Sequence, residues 1–214
     1  MTLTHVLTAP RALSLTAVLA LLSACGSTGG ALNGGSTAAD ALDPNSRDRL
    51  TYAEIAEVAK DVNDGYNAVS ITPKAQVPTA GTADYYGAVG GTLSVAGQNT
   101  RVGGLMGLGV NFGTNRVGGR LGNFVTARGD RLDGTLAVTN GVLNRTSNSS
   151  QVAIFGDVDG VLQSQANERI VVDARLRESG FKGPNVDYIG GSIEGDVRVN
   201  GIAGDIDMRA QLQR

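Results

Sequence analysis

Side chains able to carry covalent, acid–base or metal chemistry are few among these 214 residues. There is one cysteine, Cys25, and one histidine, His5, and both fall at the start of the chain. A thiol can attack an acyl group or bind a soft metal, and an imidazole can relay a proton. Neither acts alone, since nucleophilic triads and tetrahedral zinc sites need several such groups together. The remaining candidates are carboxylates. Asp157-Val158-Asp159-Gly160 and Asp205-Ile206-Asp207 hint at calcium, which takes six to eight oxygens from a looped backbone. Here the acids alternate with apolar residues, which places them on the outward face of a strand. Residues 103–113 are glycine-rich but lack the Lys-Ser/Thr of a phosphate-binding loop. A paired acid and base for glycoside cleavage would need convergence in a cleft, which the composition does not favour. The triplets starting at Asn144 and Asn148 read as polar loop. We therefore expect no enzyme, no cofactor and no metal.

Cys25 finds its explanation in what precedes it. Residues 12–22 are apolar, Arg11 is the one cation upstream, and Leu22-Ser23-Ala24 ends the run in small residues. This is the layout of a secretory signal, too short for the ~20 apolar residues of a membrane span. Leu22-Ser23-Ala24-Cys25 resembles the bacterial lipobox, in which the thiol is acylated and becomes the mature N-terminus. Residues 1–24 are then a signal peptide, His5 leaves with it, and Cys25 becomes a lipid anchor. Gly26 after the cysteine, in place of Asp, implies by the same resemblance the outer membrane. Removing Arg11 from the 18 basic residues leaves 17 against 20 acidic ones, with no cationic stripe of the kind that tracks phosphates. Nucleic acid is not expected as a partner.

The elements that could position a site come next. Residues 25–47 are mostly Gly, Ser, Thr, Ala and Asn, a flexible tether. Residues 48–81 hold a helix and a linker. Thr51 and Glu54 have capping-box spacing, Ile55, Val58, Ala59 and Val62 form one stripe, and Gly65 is placed to end the helix. That stripe is expected to lie on the domain, with partner binding as its alternative. Residues 71–81, with Pro73 and Pro78, read as the linker.

Residues 82–214 are all β. Apolar residues alternate along eight short runs joined by hairpin-length turns, among them Asn200-Gly201, which predicts a tight hairpin. The fold expected is an eight-stranded antiparallel up-and-down β-barrel. Glycine makes up 31 residues and recurs in phase with the apolar face, at Gly91, Gly134, Gly156, Gly195 and Gly204. Such glycines let strands bend and large neighbours fit a narrow interior. A filled core follows, not a ligand-sized cup. A membrane-spanning barrel would reverse the faces and need aromatic girdles, yet aromatics are only 4% of the chain.

Phe181-x-Gly183-Pro184-x-Val186, followed by Gly190-Gly191-x-Ile193-x-Gly195, resembles the F-x-G-P-x-A-x-E-x-G-G-x-F signature of transferrin-binding-protein-B-type barrels. Val186 stands where that pattern has Ala, Tyr188 where it has an acid, and Ile193 where it has Phe. Tyr85-Tyr86-Gly87, the stretch from Val110 to Phe124 and the stretch from Val199 to Ala210 are similar to further strands of that family, in the same order. The resemblance implies a surface lipoprotein. Its barrel would bind a host or envelope protein, such as an iron carrier, or a small solute such as haem, and would serve as the signal read by a surface-lipoprotein export channel. No second lobe or handle domain is recognisable, so transferrin itself is not the expected ligand. The loops at residues 145–150 and 178–187 are the candidate recognition elements. The alternative is a structural envelope lipoprotein with no dedicated ligand.

Overall fold

The structure, a computed structural model, describes residues 43–44, 49–146 and 150–214. A helix, α1 (Tyr52–Ala68), and one 3-10 turn (Lys74–Gln76) precede eight strands. These are β1 (Thr82–Val95), β2 (Gln98–Asn111), β3 (Arg116–Thr126), β4 (Arg131–Asn144), β5 (Ala153–Ser164), β6 (Arg169–Lys182), β7 (Tyr188–Val199) and β8 (Ile202–Gln213). Each pairs antiparallel with the next, and β8 returns to β1 from Gln213↔Tyr86 to Gly204↔Val95, closing the barrel. The expected architecture is the observed one.

Alternation decides which face is inside. Val89, Leu93, Met106, Leu136, Val158, Ile193 and Met208 all belong to one buried interior cluster. The charged partners on alternate positions point out. Asp159, Asp173, Asp196 and Asp205 are direct cross-strand partners across β5 to β8, and all four are exposed. A lipid-facing wall would have to be apolar there.

The in-phase glycines do their work through the backbone. A Cβ on Gly91 would run into the carbonyl oxygen of Asp207 on β8, and one on Gly195 into Cα of Ala174 on β6. The strands coil so tightly at these points that an inward Cβ meets the neighbouring main chain. Gly134 differs. It sits opposite inward Leu162 but lies at a register shift with φ +120°, exposed to solvent.

Three local expectations need revision. The helix does not stop at Gly65 but runs on to Ala68. Gly65 is there for a close approach, since its missing side chain makes room for the Tyr188 hydroxyl. Its capping box is present, with the Glu54 carboxylate accepting from the Thr51 amide at 2.7 Å and the Glu54 amide donating to the Thr51 hydroxyl. Second, residues 178–182 are strand and not loop, because β6 continues to Lys182 through a bulge opposite β7. Third, residues 71–81 are a packed strap. Thr72 donates its amide to Phe181 O at 3.0 Å, Gly183 donates to Ser70 O at 2.9 Å, and Val77 is buried in the core.

The helix seats on glycine. Ile55 and Tyr52 lie over Gly103, and the Tyr66 ring lies over Gly190, where any side chain would collide with it. Ile55 buries itself against Ala88, Leu105 and Val125 on the outer wall. Pro44 rests in the same way on Gly122 and Gly107. These glycines face outward, a pattern that the periodicity of the inner face does not reveal.

Candidate functional site

The two ends of the barrel are built from different connections. At one end, the base, residues 112–115, 145–146, 150–152 and 183–187 meet the strap. Phe181 packs against Phe112 and Tyr85 with ring centroids 5.8 and 6.1 Å apart. Tyr85 donates its buried hydroxyl to Val186 O at 2.7 Å. Burial keeps that phenol protonated well above its ordinary pKa. Arg145 reaches across to Asn115 Oδ1 at 2.6 Å and to the carbonyls of Val77 and Pro78. Lys74 N donates to Ser150 O at 2.9 Å. The base is shut.

At the other end, the mouth, four short hairpins join the strands. Ala96-Gly97 and Asn200-Gly201 each have both central φ positive, the backbone twist that suits a two-residue hairpin. The other two turns are matched. Thr126 and Ser164 end their strands, and each hydroxyl accepts the amide of the acidic residue four positions on, Asp130 at 3.1 Å and Glu168 at 3.1 Å. Each hydroxyl also donates to that residue's carboxylate, at 3.3 and 3.0 Å. Gly129 and Asn167 supply the positive φ just before the acid. Where β6 begins beside the β7–β8 turn, the Arg169 amide donates to Asn200 Oδ1 at 2.9 Å.

Inside this ring is a depression of about 500 Å³. Its floor is Leu93, Leu132 and Ile170, which cap the core. Val95 and Val199 line its wall, and Ile202 stands at the lip, 56% exposed. Arg128, Asp130 and Glu168 place both signs of charge around the rim. The arrangement can hold an apolar group in the centre and hydrogen-bond what surrounds it.

The sequence candidates are placed elsewhere. Cys25 and His5 lie outside the described residues, as does Asn148. Phe181, Gly183, Pro184, Gly190 and Gly191 gather at the base and its adjoining wall. Phe181 is core, Gly183 (φ +89°) turns the chain beside the Asp187 carboxylate, and Gly190 seats Tyr66. Arg145 holds the strap, so the 145–150 connection is structural at its described residues. Asp157 and Asp159 face outward on β5, with Arg175 3.7 Å from Asp157. Asp205 and Asp207 are exposed on β8, and residues 103–111 belong to β2, with a register shift between Gly103 and Leu105. Among the described residues no group of His, Cys, Asp or Glu is arranged to hold a metal ion. Among them, too, no helix is long and apolar enough to cross a membrane.

Sequence reasoning missed the mouth. Its signal was available: a hydroxyl residue, then Gly or Asn and an acid at the end of a five-residue stretch, occurs in Thr126–Asp130 and again in 164–168.

No family model matches the chain, and no curated protein does. Among solved structures, a mutant of the vaccine antigen transferrin binding protein B from Haemophilus parasuis Hp5 aligns at 17% identity with a TM-score of 0.38. The match covers 68% of this chain but 29% of that one. The chain thus spans less than a third of the protein it is similar to.

Proposed function

We propose that this chain is a lipid-anchored protein of the bacterial envelope whose barrel is a non-catalytic binding module, with recognition at its mouth. The observation that carries the reading is the asymmetry of the ends. Every described connection at the base is committed to closing it, whereas the mouth keeps a depression above buried Leu93, Leu132 and Ile170, with Val95, Val199 and exposed Ile202 on its wall and a polar rim around it. A barrel serving only as a stable plug would gain from closing both ends, because exposed aliphatic surface such as Ile202 forgoes about 25 cal/mol per Å² left in water. Anchoring rests on Leu22-Ser23-Ala24-Cys25 and outer-membrane placement on Gly26. Non-catalytic action rests on the chemistry of the chain after Cys25, which holds no thiol or imidazole.

The test is site-specific photo-crosslinking in cells carrying the full chain. A photoreactive residue at Gln98 or Gln165 on the rim is expected to capture a discrete adduct, while one at Gln76 in the strap captures none. Absence of adducts from both rim positions would favour the structural lipoprotein with no ligand. Cys25→Ser is expected to release the protein from the membrane fraction. Retention of that variant would remove the anchor from the proposal.

A further inference from the structure

Asparagine followed by glycine occurs three times in the chain, at Asn33-Gly34, Asn140-Gly141 and Asn200-Gly201. A glycine lets its amide nitrogen approach the preceding side chain, because no Cβ stands in the way. The carboxamide carbon can then be attacked by the main chain itself. The first pair lies outside the described residues. The other two share a local conformation, with Asn140 and Asn200 both at φ +50°, and both asparagines are exposed. Their surroundings are opposite.

At Asn200 the side-chain carbonyl is polarised. The Arg169 amide donates to Oδ1 at 2.9 Å, and the Asn200 amide donates to Arg169 O at 2.9 Å. A donor on that side-chain oxygen stabilises the negative charge that develops there when the carbon is attacked. The glycine has room to move, since Gly201 is exposed and a Cβ built on it would meet nothing within 4 Å. At Asn140 the bond is made by the other side-chain atom. Nδ2 donates to Asp157 Oδ2 at 2.9 Å, which holds the leaving nitrogen and brings a negative charge toward a group that would have to gain one. Gly141 is buried in β4, where a Cβ would run into the Val117 backbone.

We propose that Asn200 is a site of self-modification at the mouth, and that the fold protects Asn140 from the same reaction. The Gly201 nitrogen gives its proton to solvent base and bonds to Asn200 Cγ. The bond from Cγ to Nδ2 breaks and ammonia leaves, closing a succinimide. Water then opens either carbonyl of that ring, which leaves aspartate or isoaspartate. The net change is one water gained and one ammonia lost, with no other reagent. In isoaspartate the main chain runs through the side-chain carbon, so the turn gains a backbone atom. A two-residue hairpin turn has no slack for it. Asn200 also lines the depression beside Val199 and Ile202, so the reaction adds a carboxylate to the mouth and loosens the turn that carries Ile202. It does so whether or not the mouth has a ligand.

Ageing the full chain in mildly alkaline buffer, folded or in urea, tests this. Tryptic peptides are then read by mass spectrometry, with electron-transfer fragmentation to separate aspartate from isoaspartate. Asn200 falls in peptide 199–209 and Asn140 in peptide 132–145. In urea the two pairs are expected to convert at similar rates. In the fold the ratio of Asn200 to Asn140 conversion should rise about tenfold or more, the scale of a single hydrogen bond. Arg169→Pro removes the donor at the first residue of a strand, where proline is tolerated, and should slow Asn200. Asp157→Ala should speed Asn140, and circular dichroism verifies that each variant is folded. A folded ratio no higher than that in urea overturns the proposal, as does an Asn200 rate that Arg169→Pro leaves unchanged. Should Arg169→Pro fail to fold, Asp157→Ala decides, and an unchanged Asn140 rate then overturns it.

Discussion

The base and the mouth are made from the same eight strands, yet they have opposite fates. At the base, β6 overruns β5, and its last residues find their partners in the strap. Phe181 and Lys182 lie beyond the Gly180↔Ala153 pair, where Thr72 takes the Phe181 carbonyl and Ile71 bridges to Lys182. At the mouth, neighbouring strands end together and turn at once. A segment outside the barrel thus converts an aromatic opening into a sealed core at one end only. The difference teaches that closure here is an added element and not a property of the barrel itself.

If that is right, damage should be graded by end. Phe181→Ala is expected to have the largest effect, a loss of about 3–5 kcal/mol, because it empties the centre of the sealed base. Thermal unfolding would register this as a fall of roughly 2–4 °C per kcal/mol for a chain of this size. A loss no greater than that of Ile202→Asp would erase the contrast between the ends.

Gly195→Ala should follow at about 1–3 kcal/mol, since the obstruction is the Ala174 backbone and no rotamer change relieves it. Chemical denaturation measures this, and a neutral result would mean that the strands are less tightly coiled than described. Thr72→Val comes next, at about 1–2 kcal/mol, through the hydroxyl that donates to the Gly183 carbonyl. Hydrogen exchange should show Gly183 opening faster while the Asp130 amide at the mouth is unaffected.

Alkali offers another way to separate the ends. The Tyr85 phenol has a raised pKa in the fold, chiefly from burial, with Arg214 opposing and Asp187 adding to the shift. Its contribution to stability is complete below the ordinary tyrosine pKa and is lost as pH rises from there toward the folded value. Stability should fall above about pH 10, and Tyr85→Phe should flatten that fall while losing the bond to Val186. A profile unchanged by the substitution would remove Tyr85 from the base's account.

The smallest effect belongs to the helix cap. Glu54 has a lowered pKa, first because its carboxylate accepts the Thr51 amide and then because it accepts the Thr51 hydroxyl. A lowered value stabilises above the unfolded carboxylate range and is lost as pH falls through the folded pKa. The difference between Glu54→Ala and the parent should therefore be present at neutral pH and vanish in acid.

Much of the fold was legible because strand burial has period two. Ile193, Val197, Ile206 and Met208 announced the inner face without any knowledge of partners. The Asn200-Gly201 turn and the Thr51–Glu54 cap were equally local, each carried by residues no more than three apart. What stayed hidden depended on neighbours distant in sequence. Gly65 looked like a helix stop until Tyr188 was seen above it, and residues 71–81 looked like a linker until Phe181 and Ser150 supplied their partners. The signature residues around Phe181 mark the base, where Phe181 is buried against Tyr85 and Phe112. The mouth escaped notice because its apolar residues belong to four hairpins and meet only when the barrel closes.

The seam between β1 and β8 has one further consequence. It joins Tyr86 to Gln213, so the ring cannot form before the final strand has arrived. Until then the chain is an open meander, and pairings this distant in sequence are slow to find. A protein of this design becomes a closed body only once its last dozen residues have paired with its first strand.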